Sequence, residues 1–177
     1  MIRRINFYGG PGTGKSTMAA KTFSWLREQG RSAELVREWI KRWVYRGRRM
    51  ESFDAVYVFA QQLHAEDRLL QAGVEIVVTD SPLLLQCVYT IDSGMKGATA
   101  TWLAALEYER CYSAVHFLLE RDPAMPYEQL GRYQNRKAAV AMDEIIARYF
   151  RLWQIPYTTI PSGTFDRVTE ALHPYLE

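Results

Sequence analysis

Cysteine, histidine and long apolar runs are all scarce in this sequence. Two of its 177 residues are cysteine and three are histidine, and neither type shows the spacing of a metal site or a CxxC motif. Cys87 and Cys111 stand far apart, so we expect reduced core thiols. His116 lies in an apolar run and is expected to be a core residue. These shortages argue against a zinc module and against a small domain held by disulfides.

No apolar run approaches the roughly 18 residues that cross a bilayer. The amino-terminal residues lead into a glycine loop within ten positions, which leaves no room for the apolar core of a signal peptide. We therefore expect no membrane partner and a cytoplasmic location. A length of 177 residues suits a single domain over residues 1–177.

Positive charge is concentrated in residues 37–49, "REWIKRWVYRGRR", here called the basic segment. It carries six basic residues and one acidic residue, whereas the whole chain has a net charge of only +2. Two readings stay open for it. One is an amphipathic helix that places Trp39 and Trp43 in the core and the arginines in water. The other is a surface that binds the phosphates of DNA and stacks on its bases.

Apolar and β-branched runs alternate with helical patterns along the chain. Short buried strands are predicted at 2–8, 32–36, 74–80, 114–120 and 155–161. Helices are predicted at 15–29, at the start of the basic segment up to Gly47, and at 53–72, 82–91, 100–112, 137–152 and 164–176. Strands that alternate with helices favour an α/β fold of three layers with a parallel, five-stranded sheet.

The most informative stretch is "YGGPGTGKST", between the first strand and the first helix. It matches G-x-x-x-x-G-K-[ST] through Gly9, Gly14, Lys15 and Ser16. Glycines let backbone N–H groups converge on a phosphate chain, and the helix that follows adds its positive end. Lys15 should reach the β- and γ-phosphates and Ser16 should bind Mg²⁺. The motif predicts a phosphate-binding loop (P-loop) for a nucleoside triphosphate with magnesium.

Two carboxylates are expected near this loop. Asp80 ends the third strand, where it could hold Mg²⁺, accept a proton or cap the helix that follows. Glu38 follows the second strand, where it is either the base for an attacking hydroxyl or a solvated first-turn glutamate. No second acid follows Asp80, and the N-K-x-D pattern of a GTPase is absent, so phosphate transfer is favoured over hydrolysis.

Residues 121–136, "RDPAMPYEQLGRYQNR", predict a loop with three arginines: Arg121, Arg132 and Arg136. A loop of this kind can close over a triphosphate, exclude water and offset the charge on the transferred phosphoryl group. Any one of the three arginines could instead form a surface ion pair. We call this loop the lid segment.

The P-loop, "VRE", "VVTDSP" and "RD…GRYQ" occur in the order found in P-loop kinases of small hydroxyl-bearing substrates. The chain thus resembles the thymidylate kinase, deoxynucleoside kinase and nicotinamide riboside kinase class. The run of motifs looks most like bacteriophage kinases that phosphorylate 5-hydroxymethyluracil in DNA. One departure is Ser81, because thymidylate and deoxynucleoside kinases usually have an arginine after the acid of strand three.

The resemblance implies a P-loop NTPase fold with strand order 2-3-1-4-5, ATP and Mg²⁺ as cofactors, and a host-cytoplasm location if the protein is viral. The residues that it implies are those of the P-loop for the ATP phosphates, Ser16 and Asp80 for the metal, and Lys15, Glu38, Asp80, Arg121 and Arg132 for catalysis. The predicted P-loop residues are Gly10, Gly12, Thr13, Gly14, Lys15, Ser16 and Thr17. The charge and aromatic rings of the basic segment predict Arg37, Glu38, Trp39 and Arg42 for the acceptor. Residues 161–164, "PSGT", are expected near the adenine.

Three functions stay open at the level of sequence. The first is a kinase that phosphorylates the hydroxymethyl group of 5-hydroxymethyluracil in phage DNA. The second is a kinase of free deoxynucleosides or deoxynucleoside monophosphates. The third is a nucleotide-gated ATPase or binding module. The oligomeric state is open.

Overall fold

Residues 2–176 are described by a computed structural model of the chain. Five strands form one parallel sheet: β1 (Arg4–Tyr8), β2 (Ala33–Val36), β3 (Ile76–Thr79), β4 (Ala114–Glu120) and β5 (Thr158–Pro161). Their spatial order is β2-β3-β1-β4-β5. The predicted sheet and its strand order are confirmed. In this topology β1 lies at the centre, so the loop that follows it leaves from the middle of the carboxyl edge.

Seven helices connect the strands within the described residues: α1 (Lys15–Glu28), α2 (Lys41–Val44), α3 (Asp54–Gln71), α4 (Leu83–Asp92), α5 (Ala98–Cys111), α6 (Arg136–Leu152) and α7 (Phe165–Leu176). Residues of α1 and α7 pack with one face of the sheet, as Met18, Leu26 and Val168 illustrate. Residues of α3, α4, α5 and α6 pack with the other face around Tyr8 and Leu118. The predicted three layers are thereby confirmed.

The basic segment departs from its prediction, since its helix has only one turn, Lys41–Val44. The N–H of Glu38 is bound by the Asp80 carboxylate and the N–H of Trp39 by the Gln62 side chain. These side chains thus satisfy two amides that precede the turn, and Gly47 in a left-handed conformation ends it.

The two cysteines differ in their surroundings. Cys87 is buried and free, as predicted, but Cys111 is exposed, so its assignment to the core was wrong. Cys111 is the last residue of α5, and its side chain faces solvent at the end of that helix. His116 is buried on β4, which confirms the prediction for that histidine. Within residues 2–176 no helix is both long and apolar enough to cross a bilayer.

Candidate active site

The P-loop turns from β1 into α1 at the carboxyl edge of the sheet. Gly12 and Gly14 have φ angles of +81° and +87°, a region that side chains with a Cβ rarely adopt. Gly14 caps α1 without any side-chain hydrogen bond, so the first amides of this helix remain available to a ligand. The local sequence thus builds an anion site from backbone alone.

Lys15 lies folded into this loop. Its Nζ donates to the carbonyls of Gly9 and Gly10 at 2.7 and 2.9 Å. Burial lowers the pKa of Lys15 to about 8, against the raising effect of Glu38 and Asp80. An ammonium group whose partners are only carbonyls and nearby acids is well placed to bind a phosphate.

Glu38 and Asp80 are adjacent, as the sequence predicted from their strand ends. Asp80 is buried, and one of its carboxylate oxygens accepts the Glu38 N–H at 3.0 Å. About 33% of the Glu38 side chain is exposed, and it opens into the cavity beside the P-loop. Desolvation by the surrounding protein nevertheless raises the pKa of Glu38, with Lys15 acting in the opposite sense. A carboxyl group of raised pKa is better suited to accept a proton than a solvated one.

Lys41 lies between Glu38 and Ser16 of the P-loop. Its Nζ lies 3.9 Å from Glu38 Oε2 and 3.4 Å from Ser16 Oγ. Sequence reasoning placed Lys41 only in the basic segment and gave it no role in the site. Its position brings a second ammonium group to the predicted metal and phosphate ligands.

The lid segment lies on the P-loop and on the basic segment. A Cβ on Gly12 would meet the Tyr127 ring at 2.9 Å, and the Arg132 guanidinium lies 5.1 Å from the centre of that ring. At its other end, Tyr133 donates a hydrogen bond to the Arg48 carbonyl, and Gly131 contacts the Tyr45 ring. Through these contacts the lid segment covers the space between the P-loop and the basic segment.

Arg121 and Arg136 do not take part in covering that space. Arg121 forms an ion pair with Asp143, 2.6 Å from Nε to Oδ2, and donates to the Pro11 carbonyl at 2.8 Å. Arg136 begins α6 and donates to the Pro123 carbonyl. Of the three predicted lid arginines, Arg132 alone lines the cavity, and its buried Nη1 has no hydrogen-bond partner among the described residues.

A cavity of about 660 Å³ connects these groups. The predicted site residues that line it are Gly12, Gly14, Lys15, Ser16, Thr17, Glu38 and Arg132. Gly10, Thr13, Asp80, Arg121, Arg37, Trp39 and Arg42 are outside the cavity lining in the described part of the chain. Thr13 is fully buried and donates to the Gly10 carbonyl at 3.0 Å, so its side chain holds the loop rather than facing the cavity.

Gln86 and Tyr89 on α4 also line the cavity and were missed. The Gln86 amide oxygen is buried without a partner among the described residues, and burial raises the pKa of Tyr89 far above its ordinary value. Helix α4 is apolar in sequence and carries no motif. The signal for a site there was its position directly after Asp80. Residues 161–164, which were expected near the adenine, contact the P-loop, because Ser162 donates to the Thr13 carbonyl at 2.8 Å.

Trp39 and Trp43 form an aromatic cluster with Tyr57. Their ring centres lie 5.4 to 5.8 Å apart. Trp43 is buried and the Arg48 guanidinium covers its ring at 3.6 Å. Trp43 is buried as the amphipathic reading of the basic segment predicted, whereas Trp39 is only half-buried.

Ser16 and Asp80 offer hydroxyl and carboxylate oxygens, the hard donors that Mg²⁺ prefers. No group of three or more His, Cys, Asp or Glu side chains suited to a metal was found within residues 2–176. Mg²⁺ commonly keeps several waters and binds through one or two protein oxygens plus substrate phosphates. The residues present fit such a magnesium site.

Comparison with known proteins agrees with this architecture. The family model described as an AAA domain matches residues 4–167. Among solved structures, the chain is similar to the deoxyadenosine kinase from M. mycoides with products dCMP and a flexible dCDP bound. The TM-score is 0.63 at 12% identity, over 97% of this chain and 99% of that one. No curated protein sequence matches.

Proposed function

This chain belongs to the AAA domain family, and from that premise we propose that it is an ATP-dependent kinase of nucleoside- or nucleotide-type acceptors. One observation carries the proposal. Lys15 and Ser16 of the P-loop line the same 660 Å³ cavity as Glu38 and Arg132. A triphosphate site and a carboxyl group of raised pKa that face one space suit phosphate transfer to a hydroxyl.

Each side chain has a defined task in this mechanism. Lys15 and the first amides of α1 bind the polyphosphate, and Ser16 with Asp80 would hold Mg²⁺, which when bound offsets phosphate charge. Glu38 accepts the proton of the acceptor hydroxyl as that oxygen attacks the terminal phosphorus. Arg132 lines the cavity and offsets charge on the transferred group. The lid segment excludes water, which favours transfer over hydrolysis.

For the acceptor we propose the hydroxymethyl group of 5-hydroxymethyluracil in phage DNA. The supporting observation is the surface around the cavity, where Tyr45, Phe53 and Tyr133 are 65%, 59% and 41% exposed. Tyr133 donates to the carbonyl of Arg48 in the basic segment, and Arg37, Arg42, Arg46 and Arg49 of that segment form no ion pair within residues 2–176. Exposed aromatic rings among unpaired arginines suit a single strand or a base turned out of a duplex.

A kinase of free deoxynucleosides or deoxynucleoside monophosphates is the second candidate. A volume of about 660 Å³ accommodates a small molecule of that size, and the M. mycoides structure is of a deoxyadenosine kinase with dCMP and dCDP as products. A nucleotide-gated ATPase or binding module is the third candidate, which the absence of a second acid after Asp80 disfavours.

The test is phosphate transfer from γ-labelled ATP with Mg²⁺ to matched acceptors. They are an oligodeoxynucleotide with one 5-hydroxymethyluracil, the same strand with thymine, and a panel of free deoxynucleosides and monophosphates. We expect label only on the modified strand, and transfer that weakens steeply as salt rises. Label on the free panel alone would establish the second candidate. Hydrolysis without any labelled acceptor would establish the third.

A further inference from the structure

Asp143 contacts the P-loop, although no sequence motif marks it. It lies in the middle of α6, and its Oδ1 accepts the Gly10 N–H at 2.6 Å. A hydrogen bond from an amide to an ionised acceptor is roughly twice as strong as a neutral one. The contact therefore fixes the direction of the Gly10 amide at the start of the P-loop.

Arg121 completes this contact from the end of β4. Its Nε and Nη2 donate to the two oxygens of Asp143 at 2.6 and 3.2 Å, and Nη2 also donates to the Pro11 carbonyl at 2.8 Å. The two side chains are 14% and 22% exposed. Together Arg121 and Asp143, here called the loop clamp, hold one amide and one carbonyl of consecutive P-loop residues.

Helix α6 packs tightly against the P-loop at Gly10. A Cβ on Gly10 would lie 2.4 Å from the Ala139 carbonyl and 2.5 Å from Asp143 Oδ1. The α6 backbone thus touches the loop backbone directly. The shape of the P-loop is set by α6 as well as by its own glycines.

We propose that Asp143 is a positioning residue for nucleotide binding, which it serves by holding the P-loop in shape with Arg121 as its counter-ion. This inference rests on the proposed function and changes the role of Arg121. The Arg121 guanidinium neutralises a carboxylate that would otherwise repel the polyphosphate. Arg121 acts through the loop, whereas Arg132 is the arginine that faces the cavity.

A loop already held in its bound shape loses less conformational freedom when ATP binds. Removal of Asp143 should therefore weaken affinity for the nucleotide. The rate at saturating ATP should stay near that of the unchanged protein, because Asp143 does not line the cavity that receives the acceptor.

The experiment measures affinity for a fluorescent ATP analogue with Mg²⁺ in Asp143→Ala, Arg121→Ala, the double variant and Glu144→Gln. Glu144 is the exposed neighbour on α6 and serves as the matched control. We expect Asp143→Ala to raise Kd about tenfold and Arg121→Ala to raise it more, since it leaves the Asp143 charge beside the phosphates. The double variant should bind no worse than Arg121→Ala, and Glu144→Gln should bind as the unchanged protein does.

Multiplied effects in the double variant would mean that Arg121 acts independently of Asp143 and would overturn the loop clamp. So would a fall in kcat at saturating ATP with KM unchanged. If Asp143→Ala does not fold, Asp143→Leu, which is of similar size and has no acceptor oxygen, takes its place with the same expected results.

A second readout does not depend on ATP. In protein labelled with ¹⁵N-glycine, the Gly10 amide resonance should shift in Asp143→Ala and stay in place in Glu144→Gln. An unshifted Gly10 resonance would overturn the positioning role even if ATP binds. Failure of the unchanged protein to bind Mg·ATP would overturn the proposed function, and the positioning role with it.

Discussion

At the scale of residues, the site depends on a few charged groups placed by backbone contacts. The Asp80 carboxylate holds the Glu38 amide, and the Gln62 side chain holds the amide of Trp39. Glu38 therefore enters the cavity from a segment whose backbone is fixed on two sides. Local positioning of this kind is what a catalytic carboxylate requires.

Replacing Glu38 tests the base directly. Glu38→Gln keeps the size and polarity of the side chain but cannot accept a proton, so kcat should fall about a hundredfold or more. Affinity for Mg·ATP, measured by fluorescence titration, should change little. If kcat is unchanged, the role of base passes to Asp80.

Replacing Lys15 tests the phosphate site. Lys15→Ala removes the ammonium group that the loop carbonyls hold, so transfer should be abolished and Mg·ATP affinity should fall at least about tenfold. The far-UV circular dichroism spectrum should match that of the unchanged protein. A variant with normal ATP affinity would contradict the assignment of this loop.

At the scale of elements, the site depends on how the lid segment packs on the P-loop. The Tyr127 ring lies over Gly12 with no room for a Cβ, and its hydroxyl donates to the Gln134 carbonyl. The lid segment can approach the P-loop this closely because Gly12 has no side chain. A glycine at this position serves both the backbone conformation and the contact.

Two glycine substitutions separate these effects. Gly12 and Gly47 have φ angles of +81° and +67°, but only Gly12 lies against another residue, whereas a Cβ on Gly47 meets nothing within 4 Å. Both Gly12→Ala and Gly47→Ala should lose about 1 kcal/mol of stability in urea unfolding from the unfavourable backbone conformation. Only Gly12→Ala should also weaken Mg·ATP binding, because Tyr127 must move. Equal binding by both variants would show that the lid contact does not matter.

At the scale of the whole molecule, strands β1 and β4 and helices α3 and α5 bring a charged cluster together. Arg4 is fully buried and pairs with Glu109 at 2.7 Å. Glu66 is fully buried, and burial raises its pKa to about 7 against the lowering effect of Arg4. Burial lowers the pKa of His116 to about 4, against the raising effect of Glu109. The hydroxyl of Tyr8 lies 2.9 Å from His116 Nδ1.

These two shifts affect stability in opposite directions. The raised pKa of Glu66 stabilises the folded protein fully below pH 4.5, and this contribution is lost as pH rises through about 7. The lowered pKa of His116 stabilises it above pH 6.5, and this contribution is lost as pH falls towards 4. The two effects should largely offset each other between pH 4.5 and 6.5.

Glu66→Gln should therefore expose the effect of His116. We expect its free energy of unfolding in urea to fall by about 1–3 kcal/mol between pH 6.5 and 4.5, more steeply than that of the unchanged protein. Glu170→Gln, at an exposed glutamate of α7, should follow the curve of the unchanged protein. A flat curve for Glu66→Gln would show that Glu66 is not the compensating group.

The sequence by itself determined the order of strands and helices and the phosphate-binding motif. Apolar and β-branched runs that alternate with helical patterns favour a covered parallel sheet. The pattern from Gly9 to Ser16 specifies a loop and a following helix, because its glycines and the helix N-terminus act on residues that are close in sequence. Glu38 and Asp80 could be placed at one sheet edge because the carboxyl ends of parallel strands meet there.

Only the tertiary structure decided which distant side chains contact that loop. Asp143 lies 133 positions from the Gly10 amide that it binds, and its own helix carries no motif. Arg121 and Arg132 look alike in sequence, but one pairs with Asp143 while the other faces the cavity. Contacts of this kind depend on which helix packs behind which loop, and that follows from the packing of the whole chain rather than from any local pattern.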